Sequence, residues 1–216
     1  GAAEAEDVSR DFVVAEDPPG MLTIAGGKLT SHRHMAEQLV DRAAAFLERA
    51  FDVEAHRGCD TDEVALPGGD IRELDAFRRE LSERAGTSRL PPSSLHRLAR
   101  AHGSDADEVL SLVDRRSALR EPVVDGRPYL AAEVVHAARE EMAVHAEDVL
   151  FRRTHLGWET RRFGEACRRV VALLAEELGW DAARREEEAE RARAVRARDE
   201  AWRGELEEAE PLSGGA

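Results

Sequence analysis

The sequence is almost without lysine. Lys28 is the single lysine among its 216 residues, and the other 30 of the 31 basic residues are arginines. Acidic residues outnumber basic ones, so the formal net charge at pH 7 is −14. A surface of that sign repels phosphates, which argues against nucleic acid as a partner and against electrostatic attachment to an anionic membrane.

Cysteines and long apolar runs are scarce as well. The two cysteines, Cys59 and Cys167, lie far apart and form no C-x-x-C pair, so they indicate neither a zinc site nor a disulfide framework. No run of about 18 apolar residues is present, and no signal-peptide pattern opens the chain. We therefore expect a reduced cytoplasmic setting and leave open peripheral attachment at the inner face of the cell membrane. Because the first residue is Gly1 and not Met, we also expect a fragment of a longer protein.

Two short β-branched and apolar runs stand near the N-terminus. The stretches DFVVAED and MLTIAGG are separated by Pro18, Pro19 and Gly20, which predicts two strands joined by a turn. Two strands alone are not stable in water, so we expect them to need a sheet that this chain does not contain. After them the apolar spacing becomes helical, and Thr30 or Ser31 is expected to cap the first turn of that helix.

The remainder of the chain is expected to be all-helical beyond a linker around HRGCDTDEVALPGGD, whose glycines and proline break the pattern. Gly179 is expected in the left-handed conformation at a helix end, and Asp181 at the cap of the next helix. The predicted helices are Ile71–Ala85, Ser93–Ala101, Asp105–Val113, Ala131–Phe151, Glu159–Leu178 and Ala182–Gly204.

Two of these helices carry clear apolar stripes. One stripe runs from Phe163 to Leu178. The other runs from Val135 through Met142 to Val149, with His145 filling a gap in it. Each helix is therefore predicted to bury one face, and Met142 is expected in the core and not in a cofactor site.

The single lysine stands in a particular place, in the stretch AGGKLTSHR. A predicted strand runs into Gly26 and Gly27, Lys28 follows, and a helix begins near Ser31. Helix-start N–H groups and a lysine favour an anion such as a phosphate, a carboxylate or the N1–C2=O edge of a flavin. From spacing alone, a tight strand-to-helix connection with a solvated lysine is the simpler reading. Neither a P-loop nor a dinucleotide G-x-G-x-x-G pattern is present.

A longer stretch resembles a known family. SRDFVVAEDPPGMLTIAGGKLTSHRHMAEQLVD resembles the end of the flavin domain in FAD-dependent glycerol-3-phosphate dehydrogenases. Further blocks, LPGGD, HGSDADEVLSLV, AEVVHAAREEMAVHAEDVLFRRTHLG and VVALLAEELGWD, resemble the helical C-terminal domain of that family in order. The resemblance covers nearly all of residues 8–182.

The resemblance implies a fold and a domain organisation. The fold is mainly α, with a short N-terminal strand pair left from an FAD-binding α/β domain and an all-helical C-terminal domain. Residues 1–55 would form the end of the FAD and substrate domain, and residues 56–70 the linker. Residues 71–204 would form the helical domain, and residues 205–216 a disordered tail.

The resemblance also implies binding residues. The FAD cofactor would be lined by five consecutive residues, Gly26, Gly27, Lys28, Leu29 and Thr30. Lys28 and Arg10 would bind the substrate, Arg10 because a guanidinium matches phosphate oxygens; otherwise Arg10 forms a weak surface ion pair. This sequence has His32 where the family has tyrosine, and Phe12 where it has histidine or an aromatic residue. No catalytic base can be named.

The implied activity is oxidation of sn-glycerol 3-phosphate to dihydroxyacetone phosphate, with electrons passed to a quinone. The partners would be glycerol 3-phosphate, the quinone and an N-terminal FAD domain, and a homodimer is left open. We expect this chain alone to be inactive, because the glycine-rich ADP-binding motif is absent. The alternatives are a glycerophosphate oxidase that uses oxygen and a non-catalytic helical interaction module.

Two histidine arrangements suggest metal binding, and we predict no metal at either. His32 and His34 lack a further ligand at suitable spacing. Glu133-x-x-His136 with Glu141 is similar to half of a di-iron site, but no second Glu-x-x-His copy exists. We expect structural ion pairs there instead, with the arginines that follow in the sequence: Arg139, Arg152 and Arg153.

Overall fold

A computed structural model describes residues 11–54, 58–86, 90–159 and 161–202. The chain divides into two units, Gly1–Leu66 and Pro67–Ala216. The expected linker over residues 56–70 stays a prediction, as does the expected tail, which lies outside the described residues. No helix in the described ranges has both the length and the apolar character needed to cross a bilayer.

The first unit contains the predicted strand pair and helix. Strands β1 (Phe12–Glu16) and β2 (Leu22–Gly26) are antiparallel, with Phe12 opposite Gly26. One 3₁₀ turn (Leu29–Ser31) then leads into helix α1 (His32–Phe51). The predicted side-chain cap is wrong, because the Ser31 hydroxyl donates to the Lys28 carbonyl (2.8 Å) and no side chain caps the helix.

The first unit has no core of its own. None of its described residues is buried, and several apolar side chains face solvent, among them Val13 and Val40. A groove of about 740 Å³ runs along α1 and is lined mainly by apolar surface, including Ala36, Ala44 and Cys59. The strand pair and α1 therefore present apolar faces that nothing in the described part of this unit covers.

The second unit holds the whole buried core of the described chain. Its helices are α2 (Leu74–Gly86), α3 (Pro92–Ala101), α4 (Ala106–Arg115), α5 (Ala131–Arg139), α6 (Leu156–Glu159), α7 (Phe163–Leu178) and α8 (Ala182–Glu200). Helices α5 and α7 pack face to face at the centre, with α4 beside α5 and α8 beside α7. Their buried faces are mostly Leu, Val and Ala, as helical apolar periodicity requires. The mainly α fold with a short strand pair is confirmed.

Helix α7 ends as predicted and α8 begins as predicted. Gly179 has a φ of 70° at the end of α7, and the Asp181 carboxylate accepts the N–H of Arg184 (2.8 Å) at the start of α8. The predicted start of α7 at Glu159 is wrong, since Phe163 is its first residue and Glu159 closes the short α6. Gly204, the predicted end of α8, lies outside the described residues, and the observed helix ends at Glu200.

The predicted long helix Ala131–Phe151 is also wrong. Helix α5 ends at Arg139, and Met142 has a φ of 57° and is 85% exposed instead of lying in the core. A new helical turn then begins, because Asp148 accepts the N–H groups of Val144 and His145 (3.0 and 2.9 Å). This second segment continues with π-type bonding over Asp148–Arg153.

One buried carboxylate, that of Glu188, links helix α8 to the segment that follows the end of α5. Glu188 is fully buried and bonds through Oε1 to His145 Nδ1 (2.9 Å) and Arg184 Nη2 (2.8 Å). Its Oε2 accepts the N–H of Ala146 (2.9 Å). A negative charge at a helix start is favourable, so Glu188 stabilises both the break and the docking of α8.

Candidate functional site

The glycine pair is required by the first unit itself. Gly26 and Gly27 have φ values of 83° and 81°, which residues with a Cβ rarely adopt. A Cβ on Gly27 would stand 2.5 Å from Met35 Sδ, and one on Gly26 would stand 2.8 Å from the Asp11 carbonyl oxygen. The chain must therefore turn here through two left-handed residues to bring β2 into α1.

This turn contains N–H groups for which the described residues supply no acceptor. The Gly27 N–H donates to the Asp11 carbonyl (3.1 Å), and the Ser31 N–H to the Lys28 carbonyl (3.0 Å). Between them, within residues 11–54, no acceptor is described for the N–H groups of Lys28, Leu29 and Thr30. Unpaired N–H groups at a helix start carry partial positive charge and attract an anion.

The side chains beside these N–H groups add charge and apolar surface. Lys28 is exposed, and no carboxylate in the described ranges pairs with its ammonium group. Leu29 is 88% exposed next to it. We call the segment Gly26–Thr30 the glycine–lysine corner. It offers an ammonium group, three N–H groups and one apolar side chain, which fits a ligand with an anionic edge and a flat apolar body, as a flavin has.

The structure describes five of the six binding residues that the sequence predicts. Gly26, Gly27, Lys28, Leu29 and Thr30 lie together and face solvent in the first unit. Arg10 lies outside the described residues. Their roles towards FAD and substrate stay predictions.

The two positions that depart from the family pattern have local partners. The His32 ring nitrogen Nδ1 bonds to the Leu29 carbonyl (2.9 Å) and so braces the corner. The Phe12 ring lies edge-on to His34, with 6.2 Å between ring centroids. His34 in turn bonds to Gln38 through Nε2 (2.8 Å). The two histidines therefore have different partners: His32 contacts the corner, and His34 contacts Phe12 and Gln38.

The ion pairs expected around Glu133 are mostly wrong. Arg139 binds Glu177 (2.6 Å) on α7, and Arg152 pairs with carboxylates of its own helical segment. Among the three expected arginines, Arg153 alone approaches this group, with Nε 3.5 Å from Glu141 Oε2. For Arg152 the expectation failed because α5 breaks after Arg139, so later side chains no longer follow the α5 periodicity. Arg139 itself lies in α5 and pairs with α7 instead.

Glu133 takes its partners from helix α3 instead. Its Oε1 lies 3.1 Å from Arg97 Nη2 and 3.3 Å from His102 Nε2, and all three side chains are largely buried. The Arg97 guanidinium also covers the Tyr129 ring at 4.1 Å. Sequence reasoning missed Arg97 and His102 because no local pattern connects residues about thirty positions apart, and only packing of α3 on α5 does so.

The comparisons with known proteins identify the family of the helical unit. The family described as the C-terminal domain of alpha-glycerophosphate oxidase matches residues 59–185. This chain belongs to that family.

Curated relatives match a larger share of the chain than the family model does. Glycerol-3-phosphate dehydrogenase SDP6, mitochondrial, of Arabidopsis thaliana is 31% identical over 187 residues, which is 82% of this chain and 29% of the relative. A glycerol-3-phosphate dehydrogenase of Mycobacterium leprae is 33% identical over 174 residues, 79% of this chain and 28% of the relative. The aerobic glycerol-3-phosphate dehydrogenase of Staphylococcus aureus (strain USA300) is 31% identical over 151 residues, 68% of this chain and 26% of the relative. The chain thus spans less than a third of each relative, and the family resemblance is confirmed.

Proposed function

We propose that this chain is the C-terminal part of an FAD-dependent oxidoreductase that converts sn-glycerol 3-phosphate to dihydroxyacetone phosphate. The observation that carries the proposal is the glycine–lysine corner, with an unpaired ammonium group and three free N–H groups in the described first unit. Support comes from the family and from the names of the relatives, which are glycerol-3-phosphate dehydrogenases.

Each residue of the corner has a distinct task in this proposal. Lys28, together with Arg10, would hold the anionic substrate, and the helix-start N–H groups would face the N1–C2=O edge of the flavin. Leu29 would lie against the ring and exclude water. Bound FAD would supply the hydride acceptor for the C2 hydrogen, and the chain would contribute alignment and charge.

The exposed apolar surface of the first unit supports a partner that covers it. Because none of its described residues is buried, this unit gains little from burial by itself. We propose that an FAD-binding part of the enzyme completes the site and that the isolated chain neither holds FAD tightly nor turns over. Absorbance spectra of the purified 216-residue chain test this, and a stoichiometric flavin band would overturn it.

The role of Lys28 is tested by a charge-removing variant. In the enzyme that combines this chain with its FAD-binding part, Lys28→Met is expected to lower kcat/KM for glycerol 3-phosphate roughly 30- to 900-fold, which corresponds to about 2–4 kcal/mol.

The matched control is Arg49→Met. Arg49 is an exposed cation in the last turn of α1, about 25 Å further along the helix at about 1.5 Å per residue. Its variant is expected to keep full activity. Equal activity of the two variants would mean that the corner does not touch substrate, as for a helical interaction module without catalysis.

The electron acceptor is a separate part of the proposal. We propose a quinone, in line with the relatives named as dehydrogenases, and the alternative is oxygen, in line with the name of the matching domain family. Turnover is measured with a soluble quinone under argon and with air alone. Quinone reduction without stoichiometric peroxide supports the dehydrogenase, whereas peroxide equal to substrate consumed supports the oxidase.

A further inference from the structure

Three side chains of the second unit meet at a point that the proposed reaction does not use. His102 ends helix α3, His136 lies on α5, and Glu141 lies just beyond the end of α5. Glu141 Oε1 is 3.8 Å from His102 Nδ1 and 3.9 Å from His136 Nε2. The three atoms lie within 4.8 Å of one another, and the two rings cross edge to face with centroids 5.2 Å apart.

We propose that His102, His136 and Glu141 bind one divalent transition-metal ion, with zinc as the best fit. Two imidazoles and one carboxylate form a known zinc ligand set that leaves a fourth position open. Zinc bonds of about 2.1 Å in a tetrahedron need ligand atoms roughly 3.4 Å apart. The 3.8 and 3.9 Å separations to Glu141 would therefore close by about half an ångström. The separation between the two histidine nitrogens, at most 4.8 Å, would close by up to about 1.4 Å, which side-chain rotation can supply.

The buried carboxylate of Glu133 orients the first ligand. Its Oε1 lies 3.3 Å from His102 Nε2, while its Oε2 accepts the N–H of Leu130 (2.8 Å). A carboxylate in this position can only accept, so Nε2 carries the hydrogen and Nδ1 turns a lone pair towards Glu141. A carboxylate behind a histidine in this way is the usual support of a metal-binding imidazole.

The second ligand is a buried imidazole with an unpartnered nitrogen. His136 is 3% exposed, and its buried Nδ1 has no hydrogen-bond partner among the described residues. Nδ1 faces Glu108 Oε2 at 3.8 Å, and Nε2 faces Glu141. A buried polar group without a partner is costly, and a metal on Nε2 with Glu108 drawn to Nδ1 would satisfy both nitrogens.

An entry path and a competitor also lie on this surface. A cleft of about 370 Å³ opens beside the cluster, and its lining includes His136, three carboxylates and the two arginines Arg115 and Arg139. The carboxylates of Asp107, Glu108 and Glu140 outnumber the arginines, so the cleft offers a cation a path to His136. Arg153 competes for Glu141, but its Nε approaches Oε2 (3.5 Å) and leaves Oε1 between the two histidines. The alternative to a metal ion at this point is a proton shared between His102 and the carboxylates of Glu133 and Glu141.

Cobalt and zinc titrations of the purified 216-residue chain test the proposal. Cobalt bound by two imidazoles and a carboxylate gives visible absorption bands, and zinc displaces the cobalt. Calorimetry and absorption spectra should therefore give the same number of metal ions per chain. The variants are Glu141→Gln and His136→Gln, with far-ultraviolet circular dichroism to check the fold. The control is His155→Gln, because His155 and Glu159 form an exposed histidine–carboxylate pair (3.7 Å) without a third ligand.

We expect one metal ion per chain, at least tenfold weaker binding in both cluster variants, and unchanged binding in His155→Gln. If His136→Gln fails to fold, Glu141→Gln decides, since its side chain is 30% exposed and tolerates an amide. The proposal is overturned by the absence of stoichiometric binding or by Glu141→Gln binding as tightly as the unaltered chain. It is also overturned if the ring-nitrogen NMR signals of His102 and His136 do not change when zinc is added.

Discussion

Replacing Glu188 by glutamine tests how the second unit is held together. The carboxylate is fully buried, and it binds His145, Arg184 and the N–H of Ala146. Glutamine keeps the shape and one acceptor oxygen, but it loses the charge on which the other two contacts depend. The change therefore isolates the electrostatic part of the attachment between α8 and the break after α5.

The expected loss in the free energy of unfolding follows from the burial of the partners. Removing one member of a buried ion pair costs about 3–5 kcal/mol, because the remaining charge loses its partner. Arg184 is 34% exposed and can regain water, so the low end applies, about 3 kcal/mol. With a urea slope of about 1–3 kcal/mol per molar, the unfolding midpoint falls by roughly 1–3 M.

Urea unfolding followed by far-ultraviolet circular dichroism measures this, with Glu187→Gln as the matched control. Glu187 is 57% exposed and pairs with the same Arg184, so its loss is expected to cost less than about 0.5 kcal/mol. If the two variants unfold at the same urea concentration, the buried carboxylate does not fasten α8, and the reasoning from burial is wrong.

Three further outcomes are expected. Burial raises the pKa of the Cys167 thiol, so iodoacetamide should modify the exposed Cys59 in the native chain and Cys167 only in urea, as peptide mass spectrometry would show. Burial also raises the pKa of Tyr129 above its ordinary value of about 10. The folded state therefore keeps the proton longer than the unfolded one, and this stabilising contribution is present below about pH 10 and lost above it, which a tyrosinate absorbance titration would follow. Gly27→Ala should cost the first unit about 1–3 kcal/mol, because the new Cβ would meet Met35 Sδ at 2.5 Å in a left-handed backbone, and faster proteolysis of the strand pair would reveal it.

Local chemistry made part of the fold predictable from sequence. Gly179 and Asp181 set a helix end and a helix start through their own backbone and side chain, and both were predicted correctly. Strand and helix periodicity likewise placed β1, β2 and α7, apart from the first turn of α7. Such features depend on neighbours a few residues away, which the sequence displays directly.

The break after Arg139 could not be predicted in the same way. No glycine or proline marks it, the apolar spacing continues through Met142, and a methionine rarely has positive φ. The break is stabilised by Glu188, more than forty residues away. In the cluster of His102, His136 and Glu141, the residue that sequence reasoning missed is His102, because only the packing of α3 on α5 brings it to His136.

The candidate site, too, could be predicted from the sequence only in part. The order of glycines, lysine and helix start is visible in the sequence. The structure adds that Met35 and Asp11 leave no room for a Cβ on the glycines, and that three N–H groups have no acceptor among residues 11–54. In the proposed enzyme, what faces the corner is set by a further part of the protein, about which periodicity and spacing carry no information. Local chemistry left a phosphate, a carboxylate and a flavin edge open, and the family resemblance selected the flavin.

The reduction potential of bound flavin tests the central claim most directly. A lysine and a helix start at the N1–C2=O edge stabilise the reduced, negatively charged ring. In the enzyme that combines this chain with its FAD-binding part, Lys28→Met should lower the two-electron potential by roughly 20–45 mV, the equivalent of about 1–2 kcal/mol. Arg49→Met should leave the potential unchanged. An unaltered potential in Lys28→Met would contradict the placement of the glycine–lysine corner against the flavin.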